Sequence, residues 1–349
     1  MAEPRLDVRR AVRNELHRIV RDGAQDREGD GRDESGRDED GLASMPLVLV
    51  ACSGGPDSLA LAAALAHQAS RAGVRAGGVS VDHGLQEGSA DRARAVGAVL
   101  VGFGLEPVET IHVRVPAGVG GPEGRARRAR YAALESAAAR HGASAVLLGH
   151  TLDDQAETVL LGLARGSGPR SLAGMAERTG IYHRPLLRLT RDAVRAAVPG
   201  DVKPWEDPHN TDSAYARVRV RKRVLPVLEE ELGPGISAAL ARTADLLRAD
   251  ADALDSSAGS ARAAAATTAA GGAPAYDVGT LVGLSKAVRW RVLRAAAIDA
   301  GCPPTDLTAA HIEAIDMLIT GWRGQKGVDL PGAIRARRRG GLLRFDALN

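Results

Sequence analysis

The chain has 349 residues, 44% of them hydrophobic but only 3% aromatic, with a net charge of +3 and two cysteines. That length suits two domains whose cores are packed with alanine, valine and leucine rather than aromatic rings. Two cysteines without partner spacing exclude a disulfide framework and a C-x-x-C metal site, no apolar run reaches membrane-spanning length, and the N-terminus is charged where a signal peptide carries an apolar core; the expected setting is therefore cytoplasmic, with no membrane partner.

Residues 5–20 place Leu6, Val8, Val12, Leu16, Ile19 and Val20 near helical spacing, which predicts an N-terminal helix within residues 1–21. Residues 22–40 hold nine acids against three arginines, a local charge of −6, so the rest of the chain carries +9. Such a stretch has little apolar surface to bury and reads as a disordered acidic insert over 22–44. A body of +9 suits a polyanionic partner, although excess arginine is also ordinary solvated surface.

Residues 45–212 alternate strand and helix. Strands are expected at 47–52, 76–81, 108–113 and 145–149, and helices at 57–71, 90–103, 123–141 and 153–165, which is the pattern of a doubly wound parallel α/β sheet. Between the first strand and helix lies Ser53-Gly54-Gly55-Pro56-Asp57-Ser58. The glycines permit positive φ and close backbone approach, and Pro56 has its φ preset for a helix start. The free N–H groups of that helix end form an anion site, the two serines add donors, and Asp57 places a carboxylate where Mg²⁺ bridges to phosphate. No lysine follows the glycines, which excludes the common G-x-x-x-x-G-K-[ST] loop.

Ligands of such sheets sit outside the carboxyl ends of the strands. Asp82-His83-Gly84 follows the second strand there, and Gly149-His150 the fourth. Asp153, Asp154, Gln155 and Glu157 then open a helix. Capping accounts for one or two of these acids; three with a His and a Gln favour binding of a metal or a substrate amine. Arg125, Arg127, Arg128 and Arg130 open the preceding helix, and spacing does not choose which of them reaches a phosphate. Isolated histidines such as His67, His112, His141, His183 and His311 read as structural or surface residues.

Residues 181–210 read as a last strand, a short helix and a loop. Residues 213–252 form a helical segment opened by Arg217, Arg219 and Arg221, a basic patch that fits either nucleic-acid backbone or a solvated edge. The Ala/Ser/Thr/Gly-rich residues 253–280 read as a linker. Residues 281–349 form a small α+β module, with helices near 286–299 and 308–319 and a hairpin turning at Gly340-Gly341.

In family order the motifs are S-G-G-x-D-S at 53–58, VDHGLQ at 81–86, E-x-x-A-R-x-x-R-Y at 123–131, GHTLDDQAETVLLGLARGSGPRSLAGM at 149–175, RPLL at 184–187, WEDPHN at 205–210 and R-x-R-x-R…LP at 217–226. Together they closely resemble the tRNA(Ile)-lysidine synthetases, within the ATP-pyrophosphatase-loop group. The resemblance covers about residues 46–250, and GWRGQKGVDLPG at 321–332 resembles the shorter C-terminal region of that family. It implies an adenine nucleotide alpha hydrolase-like, Rossmann-like fold and an AMP-forming ligase. ATP adenylates C2 of the wobble cytidine of a CAU-anticodon tRNA(Ile), and the ε-amine of L-lysine then displaces AMP. It further implies that Ser53–Ser58, His83 and Arg127 hold ATP, that Asp57 supports Mg²⁺, and that His150 lies beside the reacting centre. Asp154 and Glu157 become the candidates for the lysine ammonium, and a carboxylate or His150 the base. Arg217, Arg219, Arg221 and the C-terminal module would grip tRNA; a homodimer is compatible with this reading. Val218 stands where many members carry Asn, Thr151 and His209 replace more usual neighbours, and the acidic insert has no role in the family. The competing readings are a tRNA-thiolating enzyme on the same loop, which would need cysteines, and a non-catalytic tRNA-binding protein.

Overall fold

The computed structural model describes residues 3–29, 45–84, 88–114, 121–166, 168–207, 212–269 and 272–348. It divides into two compact units, Met1–Asp245 and Leu246–Asn349. Leu85 and Gln86, Pro208–Asn210 and residues 30–44 of the expected insert lie outside the described residues.

The first unit is built on six strands, β1 (Leu47–Ala51), β2 (Arg75–Asp82), β3 (Val108–His112), β4 (Ala143–Leu147), β5 (Arg178–Thr179) and β6 (Tyr182–His183), in the order β3-β2-β1-β4-β6-β5. All neighbours are parallel except β5, which runs antiparallel to β6. Its helices are α1 (Pro4–Gly29), α2 (Pro56–Ala69), α3 (Ser89–Gly102), α4 (Pro122–His141), α5 (Leu152–Ala164), α6 (Pro169–Leu172), α7 (Arg191–Arg195), α8 (Ala216–Arg219) and α9 (Leu225–Glu231), with a π-helical turn at Val220–Val224 between the last two.

Alternation along β1 explains the two-sided covering. Val48 and Val50 face one core with Leu61 and Leu65 of α2 and Val12 and Leu16 of α1. Leu47 and Leu49 face the other, with Leu134 and Ala138 of α4. A strand buried on both faces reads as a continuous apolar run, as β1 does. With β2 on one side of β1 and β4 on the other, the chain reverses its winding at β1, and a crevice opens at the carboxyl ends there.

Two expectations about organisation change. The helix expected to end by residue 21 continues to Gly29, so the first acidic residues of the stretch are helical. Residues 253–265 are no linker: they complete α10 (Ile236–Ala265), which buries Ala244, Ala251, Ala258 and Ala265 at seven-residue spacing. Alanine is the best helix former, and a stripe of small side chains packs without the bulky residues that usually announce a buried face.

The second unit carries β7 (Ala266–Thr268), β8 (Pro274–Asp277), α11 (Val278–Val282), α12 (Lys286–Asp299), α13 (Ala309–Thr320), β9 (Val328–Leu330), β10 (Ile334–Arg339) and β11 (Leu342–Ala347). The strands form an antiparallel sheet in the order β7-β8-β11-β10-β9, and Leu281, Leu293, Ile315 and Leu318 join Ala336 and Leu343 in its core. The expected hairpin is present, its turn residues Gly340 and Gly341 both at positive φ. No helix among the described residues is long and apolar enough to cross a membrane.

Leu61 is fully buried between β1 and α1. Leu61→Ala is expected to destabilise the first unit by about 2–5 kcal/mol, read as a shift in its denaturant midpoint. A shift below about 0.5 kcal/mol would mean that α1 does not cover this face.

Candidate active site

A cavity of about 450 Å³ opens at the carboxyl ends of β1, β2 and β4. The loop after β1 forms its floor. Gly54 has φ +81°, and a Cβ there would lie 2.6 Å from Val96 Cγ2, so only glycine fits. Trp205 N–H donates to the Gly54 carbonyl at 2.9 Å and pins the loop from above. Ser58 Oγ donates to the Gly55 carbonyl at 2.9 Å and accepts from Ser53 N–H at 3.3 Å, which folds the loop over the first turn of α2. No side chain caps that helix, so its N–H groups are left for a ligand. Gly149 lets β4 come close: a Cβ there would lie 3.2 Å from the Asp57 carbonyl.

Three buried polar atoms around this cavity have no hydrogen-bond partner: Asp57 Oδ1, His83 Nδ1 and His150 Nδ1. Unsatisfied buried groups are rare, and a cluster of them at one cavity is the mark of a ligand site. Burial, reinforced by Asp154, raises the Asp57 carboxyl to about 6, with Arg191, Arg195 and Arg221 opposing. Burial, with Arg184, Arg130 and Arg127 adding to it, holds His150 well below the usual imidazole range, so its ring is neutral at neutral pH.

The acids of α5 are arranged differently from the sequence expectation. Asp154 closes a capping box, its Oδ2 accepting from Thr151 N–H at 2.9 Å and from Thr151 Oγ at 3.0 Å. Its Oδ1 accepts from Arg191 Nη2 at 2.9 Å and Arg221 Nη2 at 3.4 Å. Glu157, whose side chain is 0% exposed, accepts from Arg191 Nη2 at 3.0 Å, Arg221 Nε at 2.7 Å and Arg221 Nη2 at 3.1 Å. Asp154 lines the cavity, whereas Glu157 lies behind it as an anchor for arginine. Burial alone would raise the Asp154 carboxyl, but Arg191, the Thr151 N–H and Arg221 together hold it low. Gln155 is structural, clamping Met175 through Nε2 to its carbonyl at 3.0 Å and Oε1 from its N–H at 2.7 Å.

Of the basic residues singled out, Arg127 is exposed and does not line the cavity; it donates to Tyr131 Oη at 3.2 Å. Arg130, three residues on, lines the cavity instead. Arg217 and Arg221 turn inward toward α5, Arg217 donating to Thr158 Oγ at 3.3 Å, while Arg219 bonds the Ser213 and Ala214 carbonyls. Helical geometry at 216–224 fans these arginines apart, so the three do not share one face.

Sequence reasoning missed Arg92, Arg195 and Trp205, which line the cavity, and Arg191 behind it. Arg92 lies 4.6 Å over the Trp205 ring. A signal for Arg191 existed: it opens a helix capped by Thr190, where the macrodipole disfavours a cation unless carboxylates compensate, whereas Arg195 closes that helix, where a cation is ordinary. Among the described residues no group of three His, Cys, Asp or Glu is placed to hold a metal ion. A single carboxylate, Asp57, whose Oδ1 accepts no hydrogen bond and has only Arg195 Nε at 4.0 Å, does match the way Mg²⁺ is shared between a protein and substrate phosphates.

The PP-loop domain family matches residues 38–228, and the TilS substrate binding domain matches residues 277–343. A tRNA(Ile)-lysidine synthase of Thermobifida fusca is 61% identical over 303 residues, covering 86% of this chain and 92% of the relative. The one of Streptomyces coelicolor is 58% identical over 307 residues, covering 87% and 86%, and the one of Mycobacterium bovis is 44% identical over 290 residues, covering 83% and 86%. Among solved structures, the U34-tRNA thiolase NcsA from Methanococcus maripaludis with its 4Fe-4S cluster has a similar fold, with a TM-score of 0.50 at 21% identity, covering 67% of this chain and 79% of that one.

Because the Asp57 carboxyl is raised to about 6 in the folded protein, wild type loses stability as pH rises from its unfolded value of 3.8 through 6. In metal-free buffer Asp57→Asn is expected to melt higher than wild type at pH 8, the difference shrinking to nothing as pH falls to about 4. Equal melting curves across that range would show that Asp57 is not desolvated.

Proposed function

The chain belongs to the tRNA(Ile)-lysidine synthase family, and on that premise we propose that it joins L-lysine to C2 of the wobble cytidine of tRNA(Ile) bearing the CAU anticodon, using ATP and releasing AMP and pyrophosphate. Conversion of that cytidine to lysidine changes codon reading from AUG to AUA and charging from methionine to isoleucine. The observation that carries the reading is the single cavity in which the Ser53–Ser58 loop and the open N-terminus of α2 face His150 and Asp154.

In the first half-reaction the loop N–H groups and Ser53 hold the ATP phosphates, and the pyrophosphate leaves toward the positive end of α2. Arg130 and Arg195, both on the cavity wall, stabilise charge that builds on the phosphates, and we assign to Arg130 the ATP contact that the family resemblance implied for Arg127. Mg²⁺ would be held by Asp57 and would supply charge neutralisation at the phosphates when bound. The cytidine C2 oxygen attacks the α-phosphorus, and the bond to pyrophosphate breaks.

In the second half-reaction the lysine ε-ammonium sits against Asp154 and gives one proton to solvent. The free amine attacks C2, the C2–O bond to AMP breaks, and AMP leaves. Neutral His150, a cavity-lining residue whose buried Nδ1 has no hydrogen-bond partner, accepts a proton from the attacking nitrogen, while Glu157 acts one step back by orienting Arg191 and Arg221. Lysine, Mg²⁺ and the tRNA contacts of Arg217, Arg219 and the second unit belong to this proposal.

The thiolating alternative needs reactive cysteines. Cys52 and Cys302 are both buried, lie in different units, and have thiols pushed up by burial. The deciding assay supplies unmodified tRNA(Ile), ATP and labelled lysine, and it should yield lysine in RNA and one AMP for each lysine joined. Sulfur or ammonia in RNA with lysine left free would sink the reading. Asp57→Ala should lower AMP release by at least about a hundredfold with little change in tRNA affinity. Unchanged turnover would mean that the loop is not the ATP site.

A further inference from the structure

We propose that Arg221 occupies the lysine ammonium subsite of the free protein as an internal stand-in, and that the tRNA phosphate backbone draws it off so that lysine enters. The inference rests on the reading above, in which Asp154 receives lysine. Asp153, Asp154 and Glu157 supply three negative charges, and Arg191, Arg217 and Arg221 face them with three positive ones. Over these six side chains the charges cancel; Asp57 and Arg195 form a further opposed pair beside them, and Arg130 on the cavity wall adds one more positive charge. A lysine ammonium added to this cluster would leave an uncompensated charge in a largely buried site, which is costly. One arginine must therefore leave.

The three arginines are not equivalent. Arg191 is 11% exposed, lies outside the cavity, and is fixed by its own backbone, whose N–H donates to Asp153 Oδ2 at 2.7 Å. Arg217 stands 3.9 Å from Glu157 and spends its hydrogen bond on Thr158. Arg221 is 25% exposed, forms part of the cavity wall, and contacts both Asp154 and Glu157. It is also carried by the π-helical turn Val220–Val224. Such turns have an alternative hydrogen-bond register close by and occur at functional sites, so this carrier is suited to swing its side chain outward. A guanidinium matches phosphate in a bidentate manner better than an ammonium does, and this gives Arg221 a destination when RNA is present. The exchange makes lysine entry conditional on tRNA.

The test is equilibrium dialysis of labelled lysine against the full chain, without ATP, with and without unmodified tRNA(Ile). In wild type, tRNA is expected to tighten lysine binding at least about fivefold, and saturating lysine to tighten tRNA binding by the same factor. Arg221→Gln should tighten lysine binding in the absence of RNA and remove its dependence on tRNA. The proposal is overturned if tRNA leaves lysine affinity unchanged in wild type, or if Arg221→Gln weakens RNA-free lysine binding, which would make Arg221 a ligand rather than an occupant. Should the variant fail to fold, the wild-type coupling decides alone. Lysine joined to tRNA in the presence of ATP without that coupling sinks the exchange and spares the functional reading; no lysine bound or joined under any condition sinks both.

Discussion

A glutamate with no exposed side-chain surface has lost its water and needs hydrogen-bonding cations in its place. Glu157 sits on α5, under the cavity, and the cations arrive from two separate segments: Arg191 opens α7, and Arg217 and Arg221 lie on α8 and the π-turn after it. Removing water from a carboxylate costs several kcal/mol, and only close, well-bonded arginines return it. The requirement therefore draws both segments onto α5. Arg195, one turn beyond Arg191, and Arg221 itself then form part of the cavity wall. A buried ion cluster is weak evidence of stability, but it fixes where those segments sit.

The second constraint comes from the sheet. Parallel strands need crossover helices, and the reversal at β1 leaves one crevice where the first turns of α2 and α5 face each other. Gly54 and Gly149 let the two approach, since a Cβ at either position would press on a neighbour. The helix end of α2 attracts anions, while α5 fills its own N-terminus with Asp154 through the capping box. One open helix end and one closed end side by side separate a phosphate position from a position for a cation.

The sheet, its order of helices and the phosphate loop were legible in the sequence because each rests on local rules. Apolar runs of five residues mark buried strands, and Gly-Gly-Pro before an alanine-rich helix marks a turn. That Arg130 rather than Arg127 lines the cavity was not legible. Both lie on one helix three residues apart, and only the tilt of α4 over the sheet decides which reaches the cavity. The acids of α5 were read as ligands because nothing local reveals that Arg191 and Arg221, 34 and 64 residues further along the chain, are bonded to Glu157. The continuation of α10 through 253–265 was hidden by alanine itself, which serves a buried stripe and a flexible segment equally well on composition.

The similarity to a U34-tRNA thiolase fold raises the question of why one sheet supports different chemistries, and Cys52 answers part of it. It follows β1 directly, one residue before the phosphate loop. Its Sγ donates to Ser58 Oγ at 3.5 Å, and burial pushes the thiol up despite that contact and the Gly54 backbone. A protonated, buried thiol is neither a nucleophile nor a metal ligand. The fold supplies an AMP-forming phosphate site to many chemistries. In this chain the cavity that holds the loop is also lined by Asp154 and neutral His150, while the sulfur beside the loop is kept inert.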